Sequence, residues 1–83
     1  MLTIRYFANV RETLGVDHET VELPAAATIP SLIATLASRH GVRWQQLTGA
    51  TRLLVAVNQE LVPLESVIKD GDEVAFFPPV TGG

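Results

Sequence analysis

The chain has 83 residues, 47% of them hydrophobic, no cysteine, and a formal net charge of −3. One domain of this length buries only about 60% of its unfolded surface, and without cysteine its stability has to come from apolar packing, which excludes disulfide frameworks, zinc ribbons and thiol catalysis. The acidic balance argues against nucleic acid as a partner, and no apolar run approaches the roughly 20 residues that a membrane span requires.

Leu2 to Phe7 alternates, with Leu2, Ile4 and Tyr6 on one face and Thr3, Arg5 and Phe7 on the other. The first set reads as core, and Phe7 as an aromatic on the solvent side that needs cover. Val10 to Leu14 fits one or two helical turns closed by Gly15, with Arg11 and Glu12 outside. Glu19 to Leu23 is a second strand, Val21 and Leu23 inward, stopped by Pro24. Thr28 then serves as N-cap and Pro30 sits in the first turn of a helix that runs to about His40. Its stripe is Ile29, Leu32, Ile33, Leu36 and Ala37, and Gly41 stops it. His18 and His40 have no second ligand at helical or turn spacing and read as surface residues. Trp44 and Leu47, with Val42, are expected to close the lower edge of the core, and Gly49 marks a turn.

Arg52 to Val57 is the third long strand, with Leu53, Val55 and Val57 on one side and Leu54 and Ala56 on the other. Its near-continuous apolarity predicts cover on both faces. Asn58-Gln59-Glu60 turns the chain into a short strand, Leu61-Val62, stopped by Pro63, and Leu64, Val67 and Ile68 are expected to plug the end of the core. Asp70-Gly71 is a turn, since Gly takes a positive φ without strain. Turn chemistry accounts for the acidic group Asp70, Asp72 and Glu73, whose spacing is not that of a calcium loop, so no metal site is expected. In the last strand Val74 and Phe76 share one face, Ala75 and Phe77 the other.

Pro78 and Pro79 cannot donate to a ladder and send the chain out in an extended direction. From Val80 to Gly83 it reaches at most about 14 Å, enough to enter a narrow pocket on another protein. Thr81, Gly82 and Gly83 add little width, which suits a terminal carboxylate that must pass a constriction. The order strand, strand, helix, strand, short strand, strand belongs to an α+β domain with one main helix across a mixed sheet.

The ending Asp-Gly-Asp-Glu-Val-Ala-Phe-Phe-Pro-Pro-Val-Thr-Gly-Gly, Asp70 to Gly83, closely resembles that of the small subunits of molybdopterin synthase, a family of ubiquitin-like sulfur carriers. Phe7-Ala8-Asn9-Val10-Arg11-Glu12-Thr13-Leu14-Gly15 is similar to that family's Phe-Ala-x-x-Arg-Glu-x-x-Gly segment, and Ala56-Val57-Asn58-Gln59 sits where the family has its Val-Asn turn. The resemblance implies a β-grasp domain over residues 1–79 and a flexible tail over 80–83. It places the first and last strands side by side and parallel, so that Phe7 and Phe77 are neighbours on the uncovered face with Leu61 at the margin. Phe7, Leu61, Phe77, Pro78, Pro79, Val80 and Thr81 are then the expected partner-binding residues.

A carboxylate is a poor electrophile and must be activated, and this sequence has no P-loop and no nucleophile–base pair with which to do so. Without cysteine, any sulfur it carries belongs on the C-terminal acyl group. The resemblance implies that an activating enzyme similar to the ubiquitin E1 uses ATP to adenylate Gly83, which is then converted to a thiocarboxylate. In that scheme the tail enters the large synthase subunit and gives its sulfur to cyclic pyranopterin monophosphate, forming the molybdopterin dithiolene. Gly83 bears the sulfur and Gly82 supplies clearance. The chain itself is expected to be non-catalytic, with no tightly bound cofactor, no nucleic-acid or membrane partner, and a cytoplasmic setting. Three rivals remain: a carrier for another pathway such as thiamin thiazole synthesis, a tag conjugated to lysines, and an interaction domain whose tail has no function.

Overall fold

The computed structural model describes residues 1–50 and 53–79. Its elements are β1 (Leu2–Tyr6), α1 (Ala8–Leu14), β2 (His18–Val21), α2 (Ile29–His40), α3 (Val42–Ala50), β3 (Leu54–Val57), β4 (Glu60–Val62) and β5 (Glu73–Phe77). The strands form one sheet in the order β2-β1-β5-β3-β4. β1 and β5 run parallel in the middle, and the other pairs are antiparallel. The mixed α+β sheet with a long helix across one face is as expected.

Period-two alternation sorts the side chains. Leu2, Ile4 and Tyr6 of β1 and Val74 and Phe76 of β5 are buried beneath the helices, while Arg5 and Phe7 lie exposed on the other side. α2 starts as anticipated, with Thr28 Oγ1 accepting from Ser31 N at 3.3 Å and Pro in the first turn, and buries Ile29, Leu32 and Leu36. α1 ends at Gly15, whose φ of 79° is one that an L side chain adopts only with strain.

Several expectations are corrected. Residues 42–50 form a helix, so Gly49 lies within α3 and does not mark a turn. Gly41 ends α2 and begins the next helix at once: its carbonyl accepts from Trp44 N at 3.0 Å and Gln45 N at 3.2 Å. Trp44 and Leu47, three apart, face the core, and Val42 is 67% exposed. β2 stops at Val21, leaving Leu23 beyond the strand and only partly packed on the core. The expected start of β3 at Arg52 lies outside the described residues.

The expected plug reduces to Ile68. Ile29 N donates to Ser66 O and Ile68 N to Ala27 O, both at 2.9 Å, a short antiparallel bridge that turns Ile68 inward. Val67, next to it, points out at 77% exposure, and Leu64 is also exposed. β3 has helices over one face only, and the apolar residues of its other face belong to the surface described next.

Candidate functional site: the open sheet face

The uncovered face takes its composition from register. Arg5, Ala75, Ala56 and Leu61 line up across four strands, and Leu54 stands opposite Phe77. Phe7 N donates to Phe76 O at 3.2 Å, continuing the β1–β5 ladder one residue beyond β1. This brings Phe7 and Phe77, seventy positions apart in the sequence, to the wall of one hollow with Arg5, Ala56, Gln59, Glu73 and Ala75. A second apolar hollow adjoins it, with Leu54, Leu61 and Leu64 in its lining. Leu61 is 63% exposed and Phe7 46%, whereas Phe77, Pro78 and Pro79 are half-buried. The open face therefore carries aromatic and aliphatic side chains side by side.

β5 is the strand that leads to the C-terminus, and it is hydrogen-bonded on both edges. Its beginning is locked. Asn58 N donates to Glu73 O at 2.7 Å, Glu73 N to Asn58 Oδ1 at 3.0 Å, and Asn58 Nδ2 to Asp72 Oδ1 at 3.0 Å. Asp72 Oδ2 takes Lys69 N at 2.9 Å, so this buried carboxylate is satisfied by the turn. Asp70 pairs with the N-terminal ammonium group. These contacts are the turn chemistry anticipated for the acidic cluster, and no metal-binding group of acidic or histidine side chains occurs among the described residues. Asn58 and Gln59 have φ of 51° and 70°, the left-handed pair of a two-residue hairpin turn.

Of the predicted site residues, Phe7, Leu61, Phe77, Pro78 and Pro79 are described, and the first three share the open face. Val80, Thr81, Gly82 and Gly83 lie outside the described residues.

One cluster escaped sequence reasoning. His40 is not a surface residue: its ring is 13% exposed and its Nε2 is 2.6 Å from Glu19 Oε2. The same carboxylate oxygen accepts from Tyr6 Oη at 2.5 Å, and Arg39 Nη1 donates to the other oxygen at 2.8 Å. Burial opposes ionisation of Glu19, yet hydrogen bonds from Tyr6, Arg39 and His40 together outweigh it and hold the carboxyl below its usual range. Burial, reinforced by the bond to Glu19, pushes the Tyr6 phenol well above its ordinary value. Tyr6 and Trp44 flank the His40 ring, edge-on and stacked respectively. The signal was Glu19 itself, an acidic residue in a strand whose inward neighbours are apolar. The cluster ties β1, β2 and α2 together on the helix-covered side, away from the open face. His18 is exposed beside Asp17, whose carboxyl that contact holds low.

Residues 4–83 match the model of the ThiS family. The chain belongs to the ThiS family. Within it, the molybdopterin synthase sulfur carrier subunit of Haemophilus influenzae is 48% identical over 83 residues, covering both chains completely. Among solved structures, a complex of subunits 1 and 2 of the molybdopterin-converting factor from Helicobacter pylori contains a chain of the same fold, with a TM-score of 0.68 at 26% identity over 99% of this chain and 97% of that one. The small archaeal modifier protein 1 of Haloferax volcanii superposes with a TM-score of 0.73 at 26% identity, covering 95% of this chain and 97% of that one. The ubiquitin-like β-grasp fold implied by the sequence resemblance is therefore the fold of this ThiS-family chain.

Proposed function

We propose that this ThiS-family chain is the sulfur carrier subunit of molybdopterin synthase and works through its C-terminal acyl group. The observation that carries this is the placement of β5: clamped on both edges and locked at its start by Asn58 and Asp72, it runs through Phe77, in the wall of an uncovered apolar hollow, directly into Pro78 and Pro79. A partner that seats on Phe7, Leu61 and Phe77 lies beside the strand from which the C-terminal residues continue. The name of the Haemophilus relative supports the sulfur-carrier role, and the Helicobacter complex supports a second subunit as the partner.

In the proposed reaction an E1-like enzyme joins the Gly83 carboxylate to the adenylyl group of ATP, releasing pyrophosphate. Sulfur at the sulfide level, as HS−, then attacks the acyl carbon and expels AMP, leaving a thiocarboxylate. Inside the large subunit the sulfur forms a carbon–sulfur bond to cyclic pyranopterin monophosphate, and water cleaves the acyl–sulfur bond and returns the Gly83 carboxylate. The chain provides no acid or base for these steps and holds no cofactor of its own; catalytic groups belong to the partners, and the setting is the cytoplasm. Gly82 has no Cβ, which lets the terminus pass a narrow entrance.

The test is the intact mass of the protein isolated from cells, together with reconstituted sulfur transfer. Replacement of one oxygen by sulfur is expected, and Gly82→Val or a one-residue extension beyond Gly83 should abolish transfer while thermal melting is unchanged. Full activity of either variant refutes the proposal. The likeness to the archaeal modifier protein favours one second reading, conjugation to lysines. Isopeptide-linked ladders in the same samples, with no sulfur on the free protein, would establish it instead.

A further inference from the structure

We propose that Arg5, clamped by Glu73, is the specificity-determining cation of the docking face and receives a carboxylate of the large subunit. This rests on the docking reading above and adds to it the chemistry of one contact. Arg5 lies level with Ala75 in the wall of the hollow that Phe7 and Phe77 share, and its Nε donates to Glu73 Oε2 at 2.8 Å. Both side chains reach solvent, at 50% and 31% exposure. Among the described strand residues on that side, Arg5 is the one permanent cation.

A guanidinium carries five N–H donors in a rigid fork, and Glu73 engages the one on Nε. Water serves the rest in the free chain. A protein seated on Phe7 and Phe77 strips that water, and donors left buried without acceptors oppose binding. Such a partner must therefore bring oxygen acceptors to this spot. A carboxylate matches the spacing of the fork and supplies the opposite charge. Glu73 makes the contact selective. It is anchored through its own backbone by Asn58 at 3.0 Å, and it restricts the arginine before the partner arrives, so less side-chain freedom is lost on docking. A partner with an apolar groove but no acidic group at this position is rejected.

The experiment is a calorimetric titration of the purified large subunit with the full chain and its variants, at low salt and again at about 300 mM, where exposed charges are screened. Arg5→Ala is expected to weaken binding about tenfold at low salt and to flatten its salt dependence, a change that a purely structural role would not produce. Arg5→Lys restores the salt dependence and only part of the affinity, and Glu73→Gln costs about threefold through lost positioning. If Arg5→Ala binds within about twofold of the parent with the same salt slope while Phe77→Ala loses affinity, the docking face stands and the role of Arg5 is overturned. If Phe77→Ala also binds like the parent, docking on this face is refuted and the role of Arg5 with it.

Discussion

Glu19→Ala is the perturbation that probes the fold most sharply. Its carboxylate accepts from Tyr6, His40 and Arg39, and Tyr6 is 1% exposed, so truncation leaves a buried hydroxyl without its partner. Loss of the charge-assisted bond to Tyr6 costs about 2 kcal/mol and loss of the His40 contact about 1 kcal/mol, whereas the half-exposed Arg39 adds little. The sum, about 3 kcal/mol, is a large share of the stability of a small domain and corresponds to a fall in Tm of about 15 °C. Glu19→Gln retains one acceptor and should cost about half as much. The sign with pH follows from the lowered folded-state value: the ionised carboxylate stabilises the fold above its ordinary value of 4.5 and loses that contribution as pH falls through the depressed one. Urea melts should therefore show the gap between the parent and Glu19→Gln widest near neutrality and closing below about pH 4. A cost for Glu19→Ala under about 0.5 kcal/mol, or a Glu19→Gln gap that persists undiminished in acid, refutes the argument. A Tyr6→Phe cycle with Glu19→Gln isolates the shared term, expected at about 1–2 kcal/mol.

Two smaller changes test the turn that launches β5. Asp72→Ala removes the acceptor of Lys69 N and Asn58 Nδ2 from a buried site and should cost about 2–3 kcal/mol in a urea melt; a loss within the error of the melt would show that the backbone turn holds without it. Gln59→Gly relieves a side chain held at φ 70° and should stabilise by about 0.5 kcal/mol after the added freedom of the unfolded chain is counted, and a lower Tm would contradict this.

Where an element announced itself through nearest neighbours, the sequence was a reliable guide. Thr28, Pro30 and Gly41 bracket α2 because caps and φ restrictions act over a few residues. α3 was obscured because Gly41 ends one helix and begins the next without a linker, so that Trp44 and Leu47 looked like isolated core residues and Gly49 like a turn. Val67 and Leu64 looked like core from hydrophobicity alone, and the bridge between Thr28 and Val67 decides that only Ile68 turns in. His40 was misjudged for a related reason: its partner Glu19 is twenty-one positions away, on another element.

Read alone, the chain established an α+β domain, the two faces of β1 and β5, and an ending whose residues resemble sulfur carriers, because alternation, capping and steric width are local properties. The resemblance had already set the first strand beside the last with Phe7 near Phe77, as observed; tertiary structure decided the full strand order, the register and the side-chain contacts made across it. Pairing β1 with β5, from opposite ends of the chain, sets Phe7 beside Phe77 and Arg5 against Glu73, 68 positions apart. Such contacts join residues from opposite ends of the chain, so no short window of sequence contains them.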